Sequence, residues 1–391
     1  SAAFEASATP TVLGGAGGND FSVSSAEFAR LSAPTIVAGS STQAGGITVA
    51  GPIATPGALT LQNEVRGSIA TNGATSAPPL GLLSAGNTAQ SAAGAITAGT
   101  LLARSNGGSV DLGNAVNDVA VVGGGAAGSF RYVDANAVTI GTPTATGFDA
   151  AGNQPAVTST TSMAAESVFV RTLSGDLTLG TNVDAVAGTE LVAAARFQNP
   201  GAFAIGGSNW HVWADTWIGE TRGGLAGTGP LPNLYHCAYL GLCTVTVTTG
   251  DNHFIYAQQP VVTVTIANAS RPAGAPNPGF TYSVSGLILG DNASSISGAP
   301  GTAANAAGPP GAYAIGGALA SLLAARFLHL LHPLLDLLAA GSISGTGSFR
   351  SAGTTTVATI LSTVRHFAGA AGVVTGIGVT ASGGNRGRVA T

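Results

Sequence analysis

Lysine is absent from the 391 residues, so all 13 basic residues are arginines, and Asp and Glu together number only 17. Charged residues make up 8% of the chain, far below the quarter that is usual in globular proteins. A net charge of −4 without a basic cluster argues against nucleic acid as a partner. Few charges also leave little repulsion between copies, which an assembling protein tolerates.

Cysteine is scarce, with only Cys237 and Cys243, six positions apart. A metal half-site, a redox pair and a small-loop disulfide all fit such a pair. Because no group of Cys or His nearby completes four ligands, we predict no metal and no other cofactor. A disulfide formed in an oxidising compartment is the preferred interpretation.

Uninterrupted apolar stretches of the 20 residues or so that a membrane-spanning helix needs are also missing. The nearest candidate is the Leu-rich run, residues 322–338, which is interrupted by Arg326, His329, His332, Pro333 and Asp336. We therefore predict a chain that does not span a membrane, with two short helices kinked near Pro333. On a helix the two histidines and Asp336 have the spacing of metal ligands, but polar faces of a packed helix are the preferred interpretation.

Short β-type runs are what the chain has in abundance. They alternate apolar residues with Thr, Ser or Asp, are bounded by Gly, Asn or Pro, and recur at about ten residues or its multiples. The clearest are residues 35–37, 46–49, 58–61, 109–112, 137–140, 167–170, 176–179 and 190–192. This repetition predicts an all-β solenoid in which each coil buries its inward side chains against the next.

The solenoid is predicted over residues 1–209. One helical turn is expected at residues 24–31, and residues 71–100 are predicted to bulge from the stack because their pattern is poorer. Gly123-Gly124-Gly125 lacks the strand-to-helix context of a phosphate loop, so we interpret it as a corner.

All three tryptophans, Trp210, Trp213 and Trp217, lie within eight residues. They open residues 210–259, which we interpret as a Trp-rich cap and Cys loop over the last coil. The alternative is an exposed aromatic platform on which carbohydrate stacks.

Alternating runs joined by Pro- and Gly-rich turns follow and predict a small β-sandwich-like domain at residues 260–317. Residues 318–391 then hold the Leu-rich helical segment and further β strands.

The coil series and the Trp segment together resemble the C-terminal part of filamentous-haemagglutinin-like large exoproteins, which are surface adhesins. The resemblance is carried by residues 106–112, 135–141, 173–179, 210–213 and 223–225. It implies a right-handed parallel β-helix that is secreted by a two-partner system and stays at the surface of a Gram-negative cell.

Residues 269–272, 277–287, 290–291 and 311–315 resemble the MBG-type β domain that follows the β-helix in such exoproteins. The resemblance places this domain near residues 261–315. The chain departs from the pattern where the Leu-rich run interrupts the domain. Its last strand is therefore expected either from residues 355–379 or from another molecule, by strand addition.

Parallel β-helices also carry polysaccharide lyases and hydrolases, and a glycosidase needs two carboxylates about 5 to 10 Å apart. The available carboxylates mostly lie at turns beside Gly or Asn, where Asp serves the backbone. They are Asp111, Asp118, Asp134, Asp149, Glu166, Asp176 and Asp184. We predict no catalytic residue and no enzyme activity.

These observations together predict a secreted structural protein, an adhesin or the subunit of a self-assembling filament. Its expected partners are further copies of itself, or glycans or proteins of a host or matrix. The alternative is a carbohydrate-binding or carbohydrate-cleaving β-helix protein. The residues expected to make the contact between subunits are Leu322, Leu323, Phe327, Leu330 and Leu331, with Val373, Val374, Ile377 and Val379 as a donated strand.

Overall fold

The computed structural model of the chain describes residues 2–4, 8–16, 18, 20–158, 162–243, 245–292, 296–297, 299–316, 320–321, 327–331 and 334–338. Within these residues it is an all-β protein, a parallel β-solenoid of about ten coils followed by small sheets. The predicted fold class is confirmed. The one helix of the described residues is α1 (Ser25–Phe28), inside the predicted helical turn.

Twenty-three strands pair into one sheet that winds through the coils in stacks. One stack contains β1 (Ala2–Phe4), β4 (Thr35–Ser40), β7 (Ala58–Asn63), β10 (Pro79–Ser84), β12 (Ile96–Ser105), β14 (Asp118–Ala126), β16 (Val138–Ile140), β20 (Leu177–Leu179) and β22 (Phe197–Gln198). The second stack contains β2 (Thr11–Leu13), β3 (Phe21–Val23), β5 (Ile47–Val49), β8 (Ile69–Thr71), β11 (Thr88–Gln90), β13 (Val110–Leu112), β15 (Ser129–Asp134), β19 (Ser162–Thr172), β21 (Asn182–Val192), β23 (Trp210–Ala214), β24 (Asn233–Tyr235) and β25 (His253–Tyr256). A shorter stack begins with β6 (Ile53–Ala54) and β9 (Thr75–Ser76) and continues in the first residues of β12 and β14.

The register gives the length of a coil. Thr48, Ala70, Ala89, Asp111 and Arg131 are successive parallel partners in the second stack, and they lie 22, 19, 22 and 20 positions apart. The ten-residue spacing of the sequence therefore corresponds to about half a coil, since each coil passes through at least two stacks.

Alternation within each strand fills the interior. Strands such as β5, β8 and β16 bury their first and last residues and turn the middle one outward, as a period of two requires. In the second stack Ile47, Ile69, Thr88, Val110 and Phe130 lie above one another in register, all buried. Dispersion and removal of apolar surface from water stabilise this column.

The corners of the coils are held by buried amide side chains, because backbone groups that leave the sheet need other partners. The Asn117 side chain accepts a hydrogen bond from Ile96 N at 2.9 Å and donates to the carbonyls of Leu112 and Val133, both at 3.1 Å. Asn63 and Asn199 serve other corners in the same way. Each amide thus ties together backbone from adjacent coils.

The prediction of a bulge at residues 71–100 is wrong. Strands β8 to β12 continue the stacks without interruption, because Thr75, Ala77 and Thr88 are buried as small core residues. Pro79 is the first residue of β10, a position where proline fits a strand.

The excursions lie elsewhere, between β16 and β19 and between β23 and β25. The first holds the antiparallel hairpin β17 (Thr144–Thr146) and β18 (Ala156–Thr158), which packs Ala145 against Leu83 and Leu102. A Cβ atom added to Gly81 would lie 2.6 Å from the Cβ of Ala145, so the hairpin requires glycine there.

After the solenoid come nine short strands. They are β26 (Val261–Ile266), β27 (Ala269–Pro272), β28 (Tyr282–Ser285), β29 (Ile296–Ser297), β30 (Gly301–Thr302), β31 (Ala312–Gly316), β32 (Ala320–Ser321), β33 (Phe327–Leu331) and β34 (Leu334–Leu338). One sheet has the order β28-β26-β33 and another β27-β34-β31-β30, while β29 pairs with β32. Val262, Val264, Ile266 and Ile315 form the buried core of this region.

The prediction of helices in the Leu-rich run is wrong. On either side of His332 and Pro333 the described backbone forms strands β33 and β34. β33 pairs in parallel with β26, and β34 lies between β27 and β31. Leucine favours helices locally, but pairing with unfilled sheet edges satisfies more backbone groups than two isolated helical turns would.

We predict that Asn117→Ala lowers the free energy of unfolding by about 2–4 kcal/mol, since it leaves several buried backbone groups without partners. Chemical denaturation followed by circular dichroism measures the change. Val116→Ala is the control, because Val116 is 62% exposed in the same corner and should change stability by less than about 0.5 kcal/mol. Equal effects of the two substitutions would contradict the role assigned to the amide.

Candidate binding surface on the outer sheet

The outer face of the second stack carries most of the chemically distinctive side chains of the solenoid. At one register position Asp111, Arg131, Phe169, Glu190 and His211 follow one another on successive coils. The alternation that turns their neighbours inward turns these side chains away from the core. Residues far apart in sequence therefore form one row across the outer face.

Ion pairs and hydrogen bonds organise this row. Arg131 Nη1 lies 2.8 Å from Asp111 Oδ1 on the preceding coil. Both oxygens of Glu190 take part in hydrogen bonds. Oε1 accepts from Trp213 Nε1, and Oε2 lies 3.1 Å from His211 Nδ1. Glu190 thus fixes the orientation of both rings on the following coil.

The excursion between β23 and β25 folds over part of this face. A disulfide joins Cys237 and Cys243 and closes a short loop, in which Ala238 N donates to the carbonyl of Leu242 at 2.8 Å. Tyr239, between the two cysteines, is held against the outer face. Its ring centroid lies 5.4 Å from that of Trp213 and 6.1 Å from that of Phe169.

Arg171 completes this cluster. Its guanidinium carbon lies 5.1 Å from the centroid of the Tyr239 ring, within the range of a cation–π interaction. Arg171 takes part in none of the ion pairs among the described residues, and its Nε is buried without a hydrogen-bond partner. Burial raises the pKa of Tyr239, and the charge of Glu190 raises it further, so Tyr239 keeps its proton at neutral pH.

Between the disulfide loop and the coils lies a slot of about 160 Å³. Alanines from successive coils form much of its lining, while Arg171, Leu173, Trp213, Asp215 and Tyr239 supply its larger side chains. The slot combines aromatic rings with one cationic and one anionic group. Sequence reasoning missed Arg171 and Tyr239. The signal that finds Arg171 is the coil length, since Arg171, Val192 and Trp213 are successive partners in register.

The three tryptophans do not share one face. Trp210 is 3% exposed and packs edge-to-face on Phe254 inside the solenoid, with centroids 5.1 Å apart. Trp213 lies three positions later in the same strand and therefore faces outward. Trp217 packs on Tyr235 and Tyr256 near the last coil. A platform made of all three side chains is not present.

A polar cluster lies beside this aromatic group. Tyr256 Oη donates to Glu220 at 2.8 Å, and Arg222 Nε donates to the same carboxylate at 2.6 Å. The Arg222 guanidinium also lies 3.9 Å from the centroid of Phe254. Burial raises the pKa of Glu220, while Arg222 opposes the shift. These contacts hold Glu220 and Arg222, which follow β23, against β25.

The last coil is also joined to the segment that follows. Tyr235 Oη donates to Asp291 Oδ2 at 2.8 Å, and Asn233 Nδ2 donates to Asp291 Oδ1 at 3.1 Å and to the carbonyl of Leu289 at 3.2 Å. Leu289 and Ile288 pack against the solenoid core. We call this set of contacts the Asp291 clamp. It covers the final coil, a role that the sequence assigned to the tryptophans.

Most of the carboxylates that could serve catalysis are engaged in structural contacts. Asp134 is buried and accepts from Tyr132 Oη at 2.6 Å and Val119 N at 2.9 Å, and burial raises its pKa. Asp176 contacts Arg196, and Asp149 caps a turn with Asn153. Glu166 and Asp184 line one shallow groove of about 430 Å³ whose other lining residues are Ala, Gly and Val186.

Some residues of the predicted subunit contact and metal-ligand set lie in described strands, and others lie outside the described residues. Phe327, Leu330 and Leu331 lie in β33, where the backbone pairs with β26 of the same chain. Leu322, Leu323, Val373, Val374, Ile377 and Val379 lie outside the described residues. His329 and Asp336 lie on two different strands, so the helical metal-ligand spacing does not apply, and His332 is outside the described residues. In the part of the chain that the structure describes, no helix is both long and apolar enough to cross a membrane.

This architecture defines the class of protein: a parallel β-solenoid joined through the Asp291 clamp to small β sheets. Comparison with known families matches residues 262–322 to the MBG domain of the YGX type. The predicted MBG resemblance is thereby confirmed, and β26 to β31 lie within or at the edge of the matched segment. No curated protein and no solved structure gives a significant match to the chain. The match and the solenoid fit an adhesin-like or β-helix protein.

We predict that His253 makes the solenoid end sensitive to acid. Its ring stacks on His211 with centroids 5.7 Å apart, and burial lowers its pKa below the usual 6.5, with the charge of His211 acting in the same direction. A lowered pKa means that the unfolded chain takes up the proton first. This contribution to stability is therefore present above about pH 6.5 and is lost as the pH falls through the folded-state pKa.

Urea denaturation of the parent protein and of His253→Gln between pH 8 and pH 5 measures the effect. The free energy of unfolding of the parent should fall more steeply with acidification than that of the variant. Parallel pH profiles would contradict the prediction.

Proposed function

We propose that this chain is part of a secreted, adhesin-like structural protein of a bacterial surface, in which the solenoid is a stalk and the MBG segment continues it. The observation that carries the proposal is the Asp291 clamp, which joins the MBG-matched segment to the last coil. A clamp through a buried tyrosine and asparagine makes one continuous body. Such a body suits a protein whose role is to span distance and present a surface.

Composition supports the same proposal. A disulfide is expected in an oxidising compartment, and a chain with 8% charged residues tolerates close packing with neighbours. The resemblance to filamentous-haemagglutinin-like exoproteins supports a Gram-negative source and two-partner secretion. We propose no catalytic role, because Asp134 and Asp176 serve hydrogen bonds and ion pairs of the coils.

We predict that the protein is accessible on intact cells of the organism that produces it. Treatment of these cells with proteinase K, followed by immunoblotting with an antibody to the solenoid, should remove the full-length signal. A cytoplasmic protein of the same cells is the control and should stay intact. Protection of the chain until the cells are lysed would contradict surface exposure.

A second form of the proposal is a self-assembling filament joined by strand exchange. The Leu-rich strands β33 and β34 pair in parallel with β26 and β27 of their own chain, and the same pairings can form between two molecules. Low net charge supports association of copies.

We therefore predict that the purified full chain at neutral pH forms regular filaments in electron micrographs. A chain without residues 318–391 should remain as single short rods, because it lacks the exchanged strands. Single rods from the full chain would contradict assembly, and filaments from the shortened chain would contradict strand exchange.

A further inference from the structure

The slot beneath the disulfide loop differs in its chemistry from the larger groove described above. The larger groove beside Glu166 and Asp184 has only small residues and acidic groups, with no aromatic ring and no cation. The slot has two aromatic rings, Trp213 and Tyr239, together with Arg171 and Asp215. At about 160 Å³ it is smaller than the roughly 300–1,000 Å³ of pockets that enclose a whole drug-sized ligand. It therefore fits one ring of a larger molecule.

The polar groups define what kind of ring fits. Arg171 brings up to five N–H donors, and its buried Nε has no protein partner. Asp215 is exposed and brings carboxylate acceptors. A ligand that both donates and accepts hydrogen bonds along its rim satisfies both side chains. Because the two charges are opposite, the slot favours no net charge on the ligand.

The aromatic rings define its faces. Trp213 is fixed by its hydrogen bond to Glu190, and Tyr239 is fixed by the disulfide loop and by its edge-to-face contact with Trp213 at 76°. Rigid aromatic rings offer apolar contact area at little cost in conformational entropy. A sugar ring has apolar C–H faces and a rim of hydroxyl groups, which is the combination that these side chains select.

We propose that the slot lined by Arg171, Trp213, Asp215 and Tyr239 binds a neutral pyranose unit of a glycan. In this arrangement Arg171 donates to hydroxyl or ring oxygens, Asp215 accepts from hydroxyl groups, and the sugar packs against the rings of Trp213 and Tyr239. The inference deepens the proposed adhesive function, and it rests on that function because the glycan belongs to another cell or to a matrix.

Saturation-transfer NMR tests the proposal on the full chain. The probes are methyl glycosides of glucose, galactose, mannose and N-acetylglucosamine, with methyl glucuronoside as an anionic counterpart. We expect saturation transfer to at least one neutral glycoside, with weaker or no transfer to the glucuronoside. Transfer to none of the neutral probes, or tighter binding of the glucuronoside, would overturn the proposal.

Three substitutions locate the binding. Arg171→Gln and Tyr239→Ala should each raise the dissociation constant of the best probe at least tenfold. This is the effect of losing one hydrogen bond to a charged group or one ring contact. Arg196→Gln is the matched control, since Arg196 is another outer-face arginine but is paired with Asp176. It should leave binding unchanged. Unchanged binding in both slot variants overturns the proposal.

Folding and location are controlled separately. The thermal unfolding temperature of each variant should match that of the parent within a few degrees. Tyr239→Phe keeps the ring and should retain binding, so it tests the ring contact even if Tyr239→Ala unfolds the loop. Loss of binding in both Tyr239 variants with intact Arg171→Gln binding contradicts the role of Arg171. A chain that is exposed on cells but binds no probe overturns this inference alone, whereas a chain that binds sugar but is never exposed overturns only the proposed function.

Discussion

Backbone hydrogen bonds between neighbouring coils are the interaction on which the rest of this structure depends. A slip of one residue would turn every inward side chain outward, so the buried column from Ile47 to Phe130 and the outward row from Asp111 to His211 are set by the same register. The ladder stops at the corners. Buried amides such as Asn117 replace it there, and they join one coil to the next.

The interior of such a solenoid is occupied by its own side chains, so chemistry moves to the outer face and to the excursions. The disulfide loop is the clearest case, because it brings Tyr239 over Phe169 and Arg171 of one coil and Trp213 of another. The hairpin of β17 and β18 covers another part of the outer face, where Ala145 packs on Leu83 and Leu102 and Phe148 N donates to the Gln62 side chain at 2.7 Å. The two excursions therefore have different consequences, a lined slot in one case and a covered sheet in the other.

Much of the fold follows from local patterns that a sequence displays directly. Alternation located the solenoid strands, the strand at Trp210 and the strand at Val261, because a period of two reports which face is buried. Local patterns predicted the wrong secondary structure where pairing with strands distant in sequence determines it. The Leu-rich run favours helices by itself, but β33 and β34 pair with strands more than sixty residues away. Residues 71–100 look irregular, but small side chains suffice where neighbouring coils already fill the core.

The candidate binding surface was harder to predict, since its residues meet only through the register. Trp213 was identified for its type, although three positions separate it from Trp210 and place the two on opposite faces. Arg171 and Tyr239 carried no local motif. Knowledge of the coil length of about 21 residues would have aligned Arg171 with Trp213, but only the fold of the disulfide loop places Tyr239 above them.

The residues that cover the two ends of the solenoid contact different coils, and the two sets have no residue in common. At one end Phe28 of α1 is buried in the core, and at the other the Asp291 clamp contacts Asn233 and Tyr235. Between them, the coils repeat the same parallel pairings at about 4.8 Å per coil, although two coils are lengthened by the excursions. Gain or loss of a whole coil by recombination would change the reach of the molecule in fixed steps and leave both closures intact. The length of this protein can therefore evolve independently of what it carries at either end.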